Sequence, residues 1–284
     1  MEFVMIIIDY NGIAIGNIVT QKLDIDENLI RHMILNSIRM YRKRFHKDFG
    51  EVVITSDAGN NWRYKAFPNY KAARKIGRKK SSMDWDEVFR ITNLVFEELG
   101  DHFPYKTLKI DGCEADDIIG QLCYNTQEFG QYEKVMIISA DKDFAQLQKF
   151  DNVSQYSPMT KKYIKIEHPR KQLMELILRG DTSDGVPNVL SGDNVFVEGT
   201  RQTPLRQKLL DQLIENPESQ GQEIYRNFLR NKKLIDLNET PDALKSEIIN
   251  TFESQDTDDN KGKVFPYLVA KRCKRLIEDI EDFI

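Results

Sequence analysis

Apolar positions cluster along the chain in two alternating ways. Short continuous runs at Phe3–Ile8, Glu51–Ser56, Lys106–Ile110 and Val135–Ser139 predict strands. Longer stretches between them, Asp26–Phe49, Asp84–Leu99 and Glu114–Phe129, repeat their apolar residues at helical spacing. In the last of these, Ala115, Ile118, Ile119 and Leu122 fall at i, i+3, i+4 and i+7, the mark of a helix with one buried face. Alternation of strands with helices predicts crossover units and a mainly parallel sheet. Two further runs, Val153–Tyr156 and Tyr163–Ile166, flank "SPMTKK" and predict a terminal hairpin.

Beyond Pro169 the pattern becomes almost wholly helical, over Arg170–Arg179, Pro204–Ile214, Gly221–Asn231, Pro241–Phe252 and Val264–Ile280. The expectation is an α/β domain over 1–180, with flanking helices on its sheet, and a smaller helical C-terminal region over 181–284.

Composition narrows the class. A chain of 284 residues with a net charge of −4 is not a polycation, so nucleic-acid binding would need a local basic patch. The three cysteines, Cys113, Cys123 and Cys273, lack zinc-like spacing and read as reduced thiols of a cytoplasmic protein. No stretch approaches the roughly 20 apolar residues that span a bilayer, which predicts no membrane association. The opening "MEFVMIIID" has an early acid and reads as a first strand rather than a signal peptide.

Acids mark the strand ends. Asp9 closes the first, Asp57 the second and Asp111 the third, and Asp141 and Asp143 follow the fourth. A single Asp after a strand is most often a turn former or helix cap. A series of them, at the carboxyl edge where open sheets place their sites, calls for more. "CEADD" adds Glu114, Asp116 and Asp117, and "RGDTSDG" adds Asp181 and Asp184. Two carboxylates about 4 Å apart repel by roughly 4 kcal/mol at an effective dielectric near 20. Helix dipoles offset only about 0.3–1 kcal/mol each. Such a cluster therefore needs protons or cations, and oxygen-only ligands favour Mg²⁺ or Mn²⁺ over zinc.

The counterweight lies between Ala58 and Met83, which contains no acid. It carries Arg63, Lys65, Lys71, Arg74, Lys75, Arg78, Lys79 and Lys80, interleaved with Trp62, Tyr64, Phe67 and Tyr70. A solvated loop would account for the charges alone. Cations that grip phosphates beside rings on which bases stack are what single-stranded nucleic acid requires. Tyr70, Lys71 and Arg74 also stand at i, i+1 and i+4, which would place both cations near one another on a helix.

These residues resemble the flap endonuclease or 5′-nuclease superfamily. The matches are "IID" at Asp9, Asp57 followed by "WR" and "P-x-YK-x-x-R" through Arg74, "EADD", "SADKDFAQL" and "GDTSDGVPNV". Each is short, but their order and spacing fit over essentially the full chain, most nearly in the T-even bacteriophage branch of stand-alone nucleases. The resemblance implies a PIN-like α/β fold and a Mg²⁺-dependent 5′→3′ exonuclease and flap endonuclease with RNase H activity. It would cut RNA–DNA and DNA–DNA duplexes with a 5′ end, nick or flap, removing RNA primers during lagging-strand replication. By the same analogy Asp9, Asp57, Asp116 and Asp141 hold one metal ion, and Asp143 and Asp184 the second. Glu114, Asp117 and Asp181 act as bridging or outer ligands, and Mn²⁺ substitutes for Mg²⁺. Lys71 and Arg74 become catalytic, and Arg63, Tyr70, Lys75, Arg78, Lys79 and Lys80 join them in binding nucleic acid on an arch over 58–83. The C-terminal region becomes a duplex-binding element. A monomer in the host cytoplasm is implied, with a single-strand-binding protein and a sliding clamp as candidate partners. One departure stands out: "LSGDNVFVEGTRQTP" interrupts the helix-hairpin-helix pattern, so its K⁺ site is not carried over.

Two other readings compete. A haloacid-dehalogenase-type phosphatase would use Asp9 and Ser56, but Asn11 stands where its second Asp belongs, and "EADD" and "SADKD" would have no role. A non-catalytic, structure-specific nucleic-acid binder would not need the acids.

Overall fold

Among the described residues six strands form one sheet: β1 (Met5–Asp9), β2 (Glu51–Thr55), β3 (Lys106–Leu108), β4 (Val135–Ile138), β5 (Val153–Ser157) and β6 (Lys162–Ile164). Their order is β3-β2-β1-β4-β5-β6, parallel throughout except for the antiparallel β5–β6 hairpin. The computed structural model describes residues 4–21, 25–128 and 132–284, except the side chains at 20, 21, 75, 76, 79 and 80. Phe3 and Phe129, the outer limits of two predicted elements, lie outside the described residues. The sheet and its hairpin match the pattern-based expectation.

Both sheet faces are covered, which explains why the strands read as unbroken apolar runs. On β1, Ile6 and Ile8 enter one core and Met5 and Ile7 the other. The first core packs against α2 (Glu27–Phe49) and α5 (Trp85–His102), whose inward positions include Ile34, Ile38, Ile91 and Val95. The second packs against α6 (Ala115–Asn125) through Ile118, Ile119 and Leu122, the stripe its spacing predicts. Each such side chain, taken fully out of water, contributes about 1.5–3 kcal/mol.

A third core gathers α7 (Pro169–Arg179), α8 (Gln207–Glu215) and α9 (Gln222–Ile235) around Leu178, Leu213 and Phe228. Residues beyond Gly180 are nevertheless shared among all three cores. Ile248 and Phe252 of α10 (Asp242–Ser254) join the second, while Leu268, Leu276 and Phe283 join the first.

The expected single helix over Val264–Ile280 is corrected. It is broken into α11 (Val264–Ala270), α12 (Lys274–Ile277) and a final 3₁₀ turn, Ile280–Phe283. Arg272 sits at φ 56°, a left-handed conformation that a right-handed helix cannot continue through. The break turns Leu276 and Phe283 back onto the sheet.

Three helices are absent from the sequence pattern: α1 (Tyr10–Gln21), α3 (Trp62–Ala66) and α4 (Ala72–Lys80). In α1, two glycines and several β-branched residues lower helix propensity, and tertiary packing overrides them. The other two are short pieces within the basic window, separated by Lys71 at φ 54°.

Candidate active site

The parallel register brings the carboxyl ends of β1, β2 and β4 side by side, and with them Asp9, Asp57 and Asp141. Asp9 accepts from the Gly12 N–H at 3.1 Å and from Ser139 Oγ at 2.8 Å. Burial, then the Asp57 carboxylate, push Asp9 up to about 6 despite those bonds. Gly12 is required here, because a Cβ would stand 2.7 Å from Asp9 Oδ2. Asp57 accepts from the Ala115 N–H at 2.8 Å, at the positive end of α6. Asp141 caps the 3₁₀ helix Lys142–Lys149 and accepts from the Asp143 N–H at 3.0 Å. Asp116, in the first turn of α6, is pushed far above the ordinary carboxylate range by burial and by the charges of Asp141 and Glu114.

A second group meets where the 3₁₀ helix faces the turn after α7. Asp143, Asp181 and Asp184 each offer an oxygen, all within 4.8 Å of one another. Asp143 is pushed up to about 8 by burial and by the neighbouring Asp141, Asp181 and Asp184. Its Oδ1 is buried and has no hydrogen-bond partner among the described residues. Burial also works against the charge of Asp181, but Ser183 and the Lys142 ammonium at 3.0 Å hold it below the usual range. An orphaned carboxylate oxygen beside two more acids is a donor set that suits a hard divalent cation.

Cations close the site from the arch. Lys71 pairs with Glu114 and lies 3.6 Å from Asp184, and Arg74 pairs with Asp184. Burial disfavours the Lys71 charge, but Glu114 and Asp184 more than offset this and keep it protonated. The two cations do not share a helix face as their spacing suggests. Lys71 is the left-handed residue before α4, anchored by its N–H to the Asp184 carbonyl at 2.7 Å. Together with Asp57, Asn61, Arg78 and Glu114 they line a cleft of about 310 Å³.

Three expectations need correction. Asp117 is fully buried and its oxygens are filled by protein donors. They accept from Arg63 Nη1 and Nη2, both at 2.8 Å, the Glu114 N–H at 2.9 Å, Thr240 Oγ1 at 2.8 Å and Trp62 Nε1 at 3.3 Å. No lone pair remains for a metal or its water shell, so Asp117 is a structural residue. Arg63 is likewise removed from the nucleic-acid surface: it is 2% exposed and also donates to the Leu234 carbonyl at 2.8 Å. The rings expected to stack on bases are mostly buried too. Trp62, Phe67 and Tyr70 are packed inside, and the Tyr70 hydroxyl stands 2.8 Å from a Glu114 oxygen and 2.9 Å from an Asp184 oxygen, either of which can accept its one proton. Tyr70 thus positions acids rather than bases.

The side chains of Lys75, Lys79 and Lys80 lie outside the described residues. Arg78 is exposed and stands over the Phe89 ring at 4.9 Å. Two site residues escape the sequence reading. Ser139 orients Asp9, and Lys142 neutralises Asp181. Their only signal is position, inside "SADKD" between the acids they serve.

Residues 7–175 match the family model for the 5'-3' exonuclease N-terminal resolvase-like domain, and residues 168–283 match that for the T4 RNase H C-terminal part. The chain is 33% identical to ribonuclease H of Enterobacteria phage T4 over 293 aligned positions, covering 98% of this chain and 95% of that protein. A 5'-3' exonuclease of Buchnera aphidicola is 35% identical over 49% of this chain and 47% of its own length. The fold also resembles the D15 flap endonuclease of phage T5, solved with DNA and metal ions, at a TM-score of 0.62 and 18% identity, covering 88% of this chain and 99% of that one. The acid cluster is consistent with the use of divalent metal. With both of its parts matched and a full-length relative at 33% identity, the chain belongs to the 5'-3' exonuclease family and is a nuclease of the T4 ribonuclease H type.

Proposed function

We propose that the protein is a Mg²⁺-dependent 5′→3′ exonuclease and flap endonuclease with RNase H activity, which removes RNA primers from lagging-strand fragments. One observation carries this reading: carboxylates gathered at the strand ends and in the Asp143, Asp181 and Asp184 group lie beside Lys71 and Arg74, which pair with Glu114 and Asp184 at a cleft also lined by Asp57. Asp9, Asp57, Asp116 and Asp141 would hold one ion, and Asp143 and Asp184 the other, with Glu114 and Asp181 as outer ligands. Bound there, divalent cations would supply positive charge to the phosphate and acidify an attacking water.

The chain's own residues do the rest. Ser139 and Gly12 fix the Asp9 carboxylate, and the α6 N-terminus fixes Asp57. Tyr70 orients Glu114 and Asp184. Lys71 and Arg74 direct charge at the phosphate as it becomes more negative in the transition state. The water oxygen bonds to phosphorus, the bond to the 3′-oxygen breaks, and a 5′-phosphate and a 3′-hydroxyl result. RNA–DNA hybrids and duplex DNA with a 5′ end, nick or flap are the substrates this reading implies. The helices around the third core would hold the duplex. A monomer in the cytoplasm, working beside a single-strand-binding protein and a sliding clamp, completes it.

The test is cleavage of a 5′-labelled flap, a nicked duplex and an RNA–DNA hybrid, with Mg²⁺ and with chelator, read at nucleotide resolution. Metal-dependent cuts stepping from the 5′ end are expected. Absence of cleavage on all three would overturn the proposal.

A further inference from the structure

Among the described residues, three buried side-chain polar atoms have no hydrogen-bond partner: Asp143 Oδ1, Trp85 Nε1 and Asn61 Nδ2. The first belongs to the acid cluster. Of the other two, only Asn61 borders the cationic cleft, beside Lys71 and Arg74. Buried donors are almost always paired. An orphaned one at the wall of a cleft marks the place of an acceptor that the folded chain does not supply.

The amide cannot turn to satisfy itself. Its Oδ1 accepts from the Arg63 N–H at 2.8 Å and caps α3. Half a turn of the side chain would set an NH₂ against that N–H, so Nδ2 is fixed as the free end. The backbone is fixed as well. The Trp62 N–H donates to the Gly112 carbonyl at 2.9 Å, and the Tyr64 N–H to the Asn61 carbonyl at 3.1 Å. Two residues earlier, Gly59 lines the same cleft, is exposed, and a Cβ there would meet nothing within 4 Å. The wall is open beside the amide, where a sugar–phosphate chain has room to approach. The cations of the cleft are placed differently. Lys71 and Arg74 already pair with Glu114 and Asp184, and Lys109 donates to the Asn93 amide at 2.9 Å. Asn61 gives up no protein bond from Nδ2 to take a ligand.

We infer that Asn61 is a substrate-binding residue whose Nδ2 donates to a backbone oxygen of the nucleic acid in the cleft. The inference rests on the nuclease reading above and adds a neutral contact to the cationic ones. An N–H meets only acceptors, and those a strand presents beside phosphate-gripping cations are phosphate oxygens and, in RNA, the ribose 2′-oxygen. Base identity does not enter. Because the amide carries no charge, it acts only at contact distance and displaces no counterion. It fixes where the strand comes to rest rather than drawing it in.

Asn61→Ser keeps an oxygen to cap α3, since serine and asparagine cap about equally, but ends one atom short of Nδ2. Asn61→Ala removes both cap and donor. Affinity for a flap substrate and for an RNA–DNA hybrid is read by fluorescence polarisation with Ca²⁺. For Asn61→Ser it should fall about fivefold, what one neutral hydrogen bond supplies, with an unchanged melting temperature. Asn61→Ala should lose the same affinity and also melt lower. The dependence of log Kd on log salt should keep the wild-type slope, unlike that of Arg78→Ala. A loss confined to RNA-containing substrates identifies the 2′-oxygen, and an equal loss on RNA and DNA a phosphate oxygen; either supports the contact. If Asn61→Ser does not fold, Asn61→Thr, which also keeps a capping hydroxyl, should show the same loss. Wild-type affinity in the hydroxyl variant, with a loss in Asn61→Ala alone, would reduce Asn61 to a helix cap beside a trapped water and overturn the proposal. A changed salt slope would overturn it too, because the loss would then come from displaced cations. Failure of the wild type to cut any substrate would instead refute the nuclease reading, whereas polarisation needs no cleavage and still decides the contact.

Discussion

Asp117→Asn separates a buried structural acid from the metal ligands beside it. Asp117 is 0% exposed and Arg63 2% exposed, and two bonds of 2.8 Å join them. An asparagine keeps the shape but must turn an NH₂ toward donors. Placed at Oδ2 it faces Arg63 Nη1 and the Glu114 N–H; placed at Oδ1 it faces Arg63 Nη2, Thr240 and Trp62. Either choice loses at least two bonds, worth about 1.5–3 kcal/mol each where a charged group is involved. It also leaves the guanidinium buried without its counter-charge, and breaking such pairs costs about 3–5 kcal/mol. With a urea dependence near 3 kcal/mol per M for a chain of this size, the unfolding midpoint should drop by more than about 1 M. Mn²⁺ stoichiometry by calorimetry should not change. Replacing both partners, Arg63→Met with Asp117→Leu, should recover much of the loss, because no charge is then left unpaired. Burial opposes the Asp117 charge, but Arg63 and its other donors hold its pKa below the ordinary value. This contribution to stability is therefore present above a pH of about 4, the unfolded value, and is lost as pH falls through the lowered folded value. An unchanged midpoint with one ion lost would show that Asp117 is a ligand and that this reasoning is wrong.

Asp141→Asn should leave the fold intact and cut turnover by about 10³-fold, equivalent to roughly 4 kcal/mol; near-normal turnover at saturating Mg²⁺ would exclude it from the metal site. Asp184→Asn should weaken one Mn²⁺ site and spare the other, so simultaneous loss of both in calorimetry would refute the two-site division. Lys71→Ala should lower the single-turnover rate far more than affinity, whereas Arg78→Ala should mainly weaken binding and reduce the salt slope by about one unit; identical behaviour of the two would count against a catalytic Lys71. Asp9 and Asp143 are raised from 3.8 to about 6 and about 8, so stability is full below the unfolded value and declines as pH rises through those values. The melting temperature of chelator-treated protein should therefore fall between about pH 4 and 8 and recover with Mg²⁺, and a flat profile would contradict the acid cluster.

The strand ends were legible because a buried strand must be apolar along its whole length, so the first charge marks where it leaves the core. That places Asp9, Asp57 and Asp141 at one edge before any coordinates are known. The helical periods of α2, α5 and α6 were legible for the same reason: one face must be dry. What a local pattern does not carry is direction. Asp116 and Asp117 are neighbours on α6, yet consecutive helical positions diverge by about 100°. One therefore faces Asp141 and Glu114, while the other is enclosed by Arg63 and Thr240. Arg63 looked like a phosphate grip because its neighbours are basic, and it is buried because the Leu234 carbonyl, far along the chain, receives its Nε. The break at Arg272 was hidden because an apolar period continues across it in sequence. Its left-handed residue stands where the chain turns to bring Leu276 and Phe283 into the core against the sheet. Period and polarity along the chain decided where elements begin and which face is buried; long-range partners decided which charges meet cations and which are enclosed in the core.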